Sequence, residues 1–272
     1  MKRGVWTIVA IGAIALIAYG SWRLFVHTMH VQPALITPSM NAQDAIAPPF
    51  SKRISRVLHE RARSKPTGRP KLIALTFDDG PYPVSTPLLL DALNRLHVRA
   101  TFFLIGRDAE QWPGLAQRIE SAGDEIADHT YTHPDLDLET RAAVRGEILK
   151  GRNVLFRLVH DPSVNSEFRP PHGRYTVATI EVAQQLGYQT ILWTDDPGDW
   201  RNVTFQNLEQ HLEAHATAPE IVLLHSGKFP TIAMLPAVVA RFRAAGYRFV
   251  TVREMIARVT PNELNHPVKR AI

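Results

Sequence analysis

From Leu72 onward, short apolar runs alternate with longer amphipathic stretches. The runs predict strands near residues 72–78, 99–104, 124–128, 167–170, 189–195, 220–224 and 247–252. Helical periodicity fills the gaps. Leu88, Leu89, Ala92, Leu93 and Leu96 make one apolar face, and Val177, Ile180, Val182, Ala183 and Leu186 make a broader one. A βαβα alternation calls for a parallel sheet covered by helices, and seven strands fit either a closed barrel or an open doubly wound sheet. The barrel is expected. Polar, chemically capable residues recur just after the predicted strands, where parallel α/β folds place their active sites.

The flanks read differently. Val5 to Trp22 contains no charged side chain and follows Lys2 and Arg3; it is about long enough to cross a bilayer as a helix of ~20 residues. Residues 1–27 are therefore expected to form an N-terminal transmembrane helix that anchors the chain, with the N-terminus cytoplasmic and the following domain periplasmic or at the cell surface. The alternative is a cleaved signal peptide, which usually has a shorter apolar core and a small-x-small cleavage site. Residues 28–70 form a linker, first Pro-containing (Pro33, Pro38, Pro48, Pro49) and then basic. The catalytic domain is expected over 71–258, and 259–272 reads as a polar tail.

With 272 residues and 45% hydrophobic content, the chain is long enough for one large domain with a full core and short appendages. The formal net charge is +5, yet Lys52 to Lys71 holds eight Lys or Arg residues against the single acid Glu60. The positive charge is thus local, and no nucleic-acid partner is expected. That segment reads as a solvated linker, with contact to anionic lipid or an acidic glycan as the functional alternative. The absence of cysteine excludes disulfides, thiolate metal sites and a Cys nucleophile.

Five motifs carry the chemistry. In Leu75-Thr76-Phe77-Asp78-Asp79-Gly80-Pro81, two adjacent acids close a strand and meet a Gly-Pro break. Neighbouring side chains on a strand point to opposite faces, so both carboxylates reach one cleft only if the chain bends, which Gly80 permits; a cation between them would relieve their repulsion. A strand-ending Asp-Gly turn is the structural alternative. His129 and His133, four apart at the next strand exit but one, can present two imidazoles to a single cation. His211 and His215 share that spacing but lie inside a helical pattern and read as helix surface. Phe168-Arg169-Pro170-Pro171-His172-Gly173 sets a permanent cation beside a constrained loop. Trp193 to Trp200 is rich in acids and indole, which suits a sugar cleft, with core packing expected for Trp193. Ile221 to Gly227 ends an apolar strand in His225.

These five motifs, in this order, resemble the NodB-homology polysaccharide deacetylases of carbohydrate esterase family four, over about residues 71–255. The resemblance implies a distorted (β/α)7 barrel of the NodB type and one divalent metal ion held by Asp79, His129 and His133. Zinc is expected, with cobalt, nickel or manganese as alternatives. It further implies Asp78 as catalytic base acting on metal-activated water, His225 as general acid, Arg169 as the residue orienting Asp78, and Asp199 as the partner that raises the His225 pKa. The backbone N–H of His172 would meet the oxyanion, while Trp200 and Leu223 would enclose the acetyl methyl group. The implied partner is an acetylated polysaccharide containing N-acetylglucosamine, such as peptidoglycan, a chitin-like oligomer or an exopolysaccharide. An O-acetyl xylan esterase and a catalytically silent glycan-binding module are the other readings, and the oligomeric state stays open. Three residues depart from the family pattern. His172 replaces a common Tyr, Ser226 replaces a common Asp, and Asp128 stands where Asn is common and is expected to add negative charge near the metal.

Overall fold

A computed structural model describes residues 70–259 apart from 162, 163, 165 and 202. The expected anchor, nearly all of the linker and the tail from residue 260 lie outside the described residues. Among the described residues, no helix is long and apolar enough to cross a membrane.

All seven predicted strands form, and all pair in parallel: β1 (Leu72–Asp78), β2 (Thr101–Leu104), β3 (Glu125–Asp128), β4 (Glu167–Phe168), β5 (Gln189–Thr190), β6 (Glu220–His225) and β7 (Arg248–Phe249). The sheet order is β5-β4-β3-β2-β1-β6, with β7 paired to β1. β1 is the axis of the fold. One of its edges carries β6 along Ile73 to Asp78, while Leu72 and Ile73 pair with β7 and Thr76 to Asp78 with β2.

Strand alternation explains both the core and the site. Every residue of β1 is buried, so the strand needs an apolar partner on each face. Ile73, Leu75 and Phe77 join the large cluster between sheet and helices, whereas Leu72 and Ala74 join a smaller cluster with Phe103, Ala127, Ile191 and Ile221. The second cluster is the barrel interior. Burying such a side chain contributes roughly 1.5–3 kcal/mol. Two-residue periodicity carries the interior face from Leu72 and Ala74 up to Thr76 and Asp78, from Ala127 to His129, and from Ile221 to Leu223 and His225. The same face is apolar at one end and polar at the other.

The barrel closes irregularly. The predicted strand over 189–195 pairs as a ladder only at Gln189–Thr190, and the next residues reach β6 through a single bridge between Asp195 and Val222. There the Thr194 N–H donates to the Ile221 carbonyl at 2.9 Å, and the Leu223 N–H donates to the Asp195 carbonyl at 2.9 Å. The result is a distorted α/β barrel.

Eight α-helices surround it among the described residues: α1 (Ser85–Arg95), α2 (Gly106–Gln111), α3 (Pro113–Ser121), α4 (Arg141–Leu158), α5 (Val177–Gln185), α6 (Phe205–His215), α7 (Phe229–Ala244) and α8 (Val252–Arg258). Two predicted faces are rotated. On α1, Leu89, Leu90 and Leu93 are buried and Leu88 is 44% exposed. On α5, Val177 is 70% exposed, and Thr179, Val182 and Ala183 take the core positions. Val177 opens the helix, where the reciprocal Thr176–Thr179 cap places the first turn ahead of the part that reaches the core.

Candidate active site

The site forms where the polar ends of the interior faces meet. Asp78 is the last residue of β1. The chain then turns through left-handed conformations at Asp79 (φ 70°) and Gly80 (φ 74°), so the bend expected at Gly80 begins one residue earlier, in a side chain type that tolerates it. A Cβ on Gly80 would stand 2.8 Å from the Ser226 hydroxyl oxygen. That hydroxyl donates to the Asp78 and Asp79 carbonyls at 3.2 and 3.1 Å, which ties the turn to the end of β6.

Asp79, His129 and His133 converge, each offering one ligand atom, and these atoms lie within 4.8 Å of one another. His133 Nε2 is 3.3 Å from Asp79 Oδ1, and His129 Nε2 is 3.9 Å from the same oxygen and 3.7 Å from Asp78 Oδ2. The two histidines do not share a helical turn. Their loop reverses through positive φ at Thr130 and His133 (67° each), and the His133 N–H donates to the Thr130 hydroxyl at 3.1 Å. The His129 Nδ1–H donates to the Arg169 carbonyl at 2.8 Å, which leaves Nε2 as the free electron pair facing the carboxylates.

The electrostatics fit a cation. Burial pushes both His129 and His133 down to about 3, so both imidazoles are neutral donors. Burial and then the neighbouring Asp78 charge push Asp79 up to about 6 in the bare protein. Two neutral ring nitrogens and a carboxylate crowded against a second carboxylate form a donor set for a divalent ion that would hold Asp79 ionised. Asp128 does not add the expected negative charge. It points to the opposite face, accepts from the Tyr188 hydroxyl at 3.0 Å and the Thr130 N–H at 2.8 Å, and is pushed up to about 7 by burial.

Arg169 is fully buried on the interior face. Its Nη1 donates to Asp78 Oδ1 at 2.6 Å and to the Thr76 hydroxyl at 2.7 Å, while Nε and Nη2 donate to the Ile191 and Leu192 carbonyls at 3.2 Å each. The guanidinium also lies 3.9 Å from the Phe103 ring centroid. A planar fork held by four acceptors fixes one oxygen of Asp78 and leaves the other facing the cavity.

His225 ends β6 opposite Asp78 in the register. Its Nδ1–H donates to Asp199 Oδ1 at 2.7 Å, and Asp199 Oδ2 accepts from the His225 N–H at 2.8 Å and the Thr231 hydroxyl at 2.7 Å. Burial alone would lower the imidazole pKa. The hydrogen bond and charge of Asp199, followed by the charges of Asp78 and Asp79, outweigh it, and the net shift is upward.

A cavity of about 420 Å³ joins these groups and is walled by His172, Trp193, Trp200, Leu223 and Lys228 among others. His172 takes a left-handed conformation (φ 56°), and its N–H has no hydrogen-bond acceptor among the described residues. Its Nδ1–H donates to Asp135 Oδ1 at 2.7 Å, and Arg174 holds the other Asp135 oxygen at 2.9 Å. Trp200 is 48% exposed at the rim, with the Arg201 guanidinium 4.5 Å from its ring, while Leu223 is buried. Trp193 packs on the interior cluster and also lines the cavity, so its expected core role is only half of its place. All ten predicted site residues therefore come together. Sequence reasoning missed Thr76, Thr231, Asp135 and Lys228. Thr76 was within reach, because it sits two residues before Asp78 on the same strand face; Asp135 and Lys228 lie two and three residues beyond His133 and His225, but no residue pattern marks them, and Thr231 reaches Asp199 from α7.

A parallel barrel with two carboxylates, two imidazoles and a carboxylate-paired histidine at its strand exits is the framework of a hydrolase. Residues 65–191 match the family model described as polysaccharide deacetylase. The chain is 37% identical over 191 residues to a peptidoglycan-N-acetylglucosamine deacetylase of Bacillus cereus, covering 68% of this chain and 88% of that one. Among solved structures it is similar to the Bc1960 peptidoglycan N-acetylglucosamine deacetylase (TM-score 0.65, 29% identity, 74% of this chain and 91% of that one). It is also similar to a CE4 family pseudoenzyme from Bacillus anthracis (TM-score 0.65, 26% identity, 68% and 65%). The chain belongs to the polysaccharide deacetylases of carbohydrate esterase family four and is a hydrolytic deacetylase of that family.

Proposed function

We propose that this enzyme removes N-acetyl groups from a glycan containing N-acetylglucosamine, with peptidoglycan as the foremost substrate and chitin-like oligomers or an exopolysaccharide as the other members of the class. The observation that carries this reading is the convergence of Asp78 with Arg169, Asp79 with His129 and His133, and His225 with Asp199 around one cavity. Fold likeness alone could not carry it, since a pseudoenzyme has the same fold.

Asp79, His129 and His133 would hold one divalent ion, for which zinc suits the two imidazoles and one carboxylate. When bound, that ion supplies Lewis acidity toward water and the acetyl carbonyl. Asp78, with Oδ1 held by Arg169, accepts the proton of the attacking water on Oδ2. The unpaired His172 N–H donates to the oxygen on which negative charge develops. His225, with Nδ1–H fixed on Asp199, delivers the proton on Nε2 to the departing sugar amine, and Asp199 stabilises the imidazolium before that transfer. Leu223 and Trp200 enclose the acetyl methyl. Residues 1–27 would anchor the domain outside the cytoplasm through the linker over 28–70, a placement that rests on the sequence pattern.

Acetate release by the full chain from acetylated chito-oligosaccharide, peptidoglycan and acetylated xylan, with and without chelator and added zinc, tests the proposal. Chelator-sensitive release from the N-acetylated glycans, restored by zinc, is expected. Release from xylan alone would make the protein an O-esterase. Glycan binding without any release would make it a silent binding module.

A further inference from the structure

A second cavity, of about 360 Å³, shares Asp79, His225 and Lys228 with the first, so the two meet at the catalytic residues. Its remaining wall includes Tyr82, Val84 and Phe229, and Val84 and Phe229 are 62% and 57% exposed. An apolar, partly aromatic wall of this kind suits the face of a pyranose ring. Glycan chains are continuous and the two cavities adjoin, so the neighbour of a sugar seated in the first cavity has the second within reach.

Lys228 lies on the boundary and is half-buried. The described residues include two other lysines, and each has a partner: Lys71 donates to the Ala245 carbonyl at 2.7 Å, and Lys150 sits 3.7 Å from the centroid of the Tyr131 ring. The Lys228 ammonium has no hydrogen bond, ion pair or ring contact among the described residues. Apart from Asp79, assigned to the metal, and the titratable His225, Lys228 is the charged side chain of the second cavity. Asp78, Asp79 and Asp196 line the first cavity with it, but none forms an ion pair with Lys228, and a half-buried cation without a direct partner favours an anion beside it. One ammonium matches one negative charge, and nothing there reproduces the guanidinium fork that a more highly charged group draws.

We propose that Lys228 is a specificity-determining residue that pairs with a carboxylate on the sugar next to the one being deacetylated. This rests on the deacetylase reading above. The test uses the full chain loaded with zinc and three probes: chitotetraose, a tetrasaccharide alternating N-acetylglucosamine with N-acetylmuramic acid that carries free lactyl carboxylates, and the methyl ester of that tetrasaccharide. The expected result is a kcat/KM about tenfold higher for the free acid than for its ester, with the advantage shrinking as salt is raised. Lys228→Gln abolishes that ratio and Lys228→Arg retains it. Equal rates on acid and ester in the wild type, or a ratio that Lys228→Gln leaves intact, would overturn the proposal. Chitotetraose reads the deacetylase assignment separately. If none of the glycans released acetate, Kd values for acid and ester by calorimetry would still decide: a preference lost in Lys228→Gln supports the subsite, and equal affinities refute it.

Discussion

Two carboxylate–imidazole pairs stand on the segment after β5, four residues apart, and each closes at 2.7 Å: Asp199 with His225, and Asp195 with His211. The first histidine ends a strand on the interior face, is held by Nδ1, and turns Nε2 to a cavity that contains Asp78 and Asp79. The second sits on α6, is held by Nε2, and stacks on His215 with ring centroids 4.2 Å apart. Its partner Asp195 is buried at the barrel seam near Glu220. What distinguishes the pairs is the surroundings of the ring, which give one imidazole a cavity to work in and the other a seam to close. His211 also corrects the expectation of plain helix surface, because its Asp195 contact is partly buried.

The sharpest way to break this comparison is to remove each imidazole in turn. His225→Gln is expected to lower kcat by roughly 10²- to 10⁴-fold, the usual share of a general acid. His211→Gln should leave kcat within about twofold and cost only stability. Steady-state acetate release at saturating substrate checks both, and similar losses in the two variants would erase the distinction.

Next comes the pH profile. The acid role needs His225 protonated, and its pKa is raised, so activity should persist above the ordinary imidazole value of 6.5 and fall as pH rises through the higher one. Asp199→Asn removes the charge that opposes burial. The basic limb of kcat against pH should then move toward acid, with a loss of about tenfold or more at neutral pH. An unmoved limb would detach Asp199 from the proton transfer.

The outer pair is tested through stability. Asp195→Ala strips His211 and Glu220 of their partner and is expected to cost about 1–3 kcal/mol, or roughly 2–10 °C in Tm for a domain of this size, with zinc uptake retained. The smallest effect concerns Glu220. Burial, then the charge and hydrogen bond of Asp195, hold it well above its ordinary 4.5 against the opposing Thr217 N–H. A proton there answers two otherwise unpartnered oxygens, Glu220 Oε1 and Asp195 Oδ2. The protonated form is the one the fold prefers, so its stabilisation is complete below the unfolded pKa and is lost as pH rises through the folded one. Glu220→Gln keeps a donor toward Asp195 and an acceptor for the Thr217 N–H. Its Tm should match the wild type in acid and exceed it by a few degrees once pH passes the raised pKa of Glu220, as melting curves across pH would show.

The sequence by itself carried the seven strands, their parallel pairing and the ten residues that the structure gathers around one cavity, because two-residue alternation, strand-exit polarity and the five short motifs are local signals that the chain carries whatever its neighbours do. It overreached where packing decides exposure. Leu88 and Val177 are apolar by type but face away from the core, since helix rotation against the sheet is set by the whole interface. That His129 and His133 meet through a loop with left-handed residues at Thr130 and His133 was not legible from their spacing. Only the tertiary structure decided that Asp195 closes the seam with His211, that Thr231 holds the second oxygen of Asp199, and that Lys228 borders two cavities. Those pairings join residues 16 to 32 positions apart across separate elements, and their physical basis is the distance between side chains in the folded chain, which no local pattern encodes.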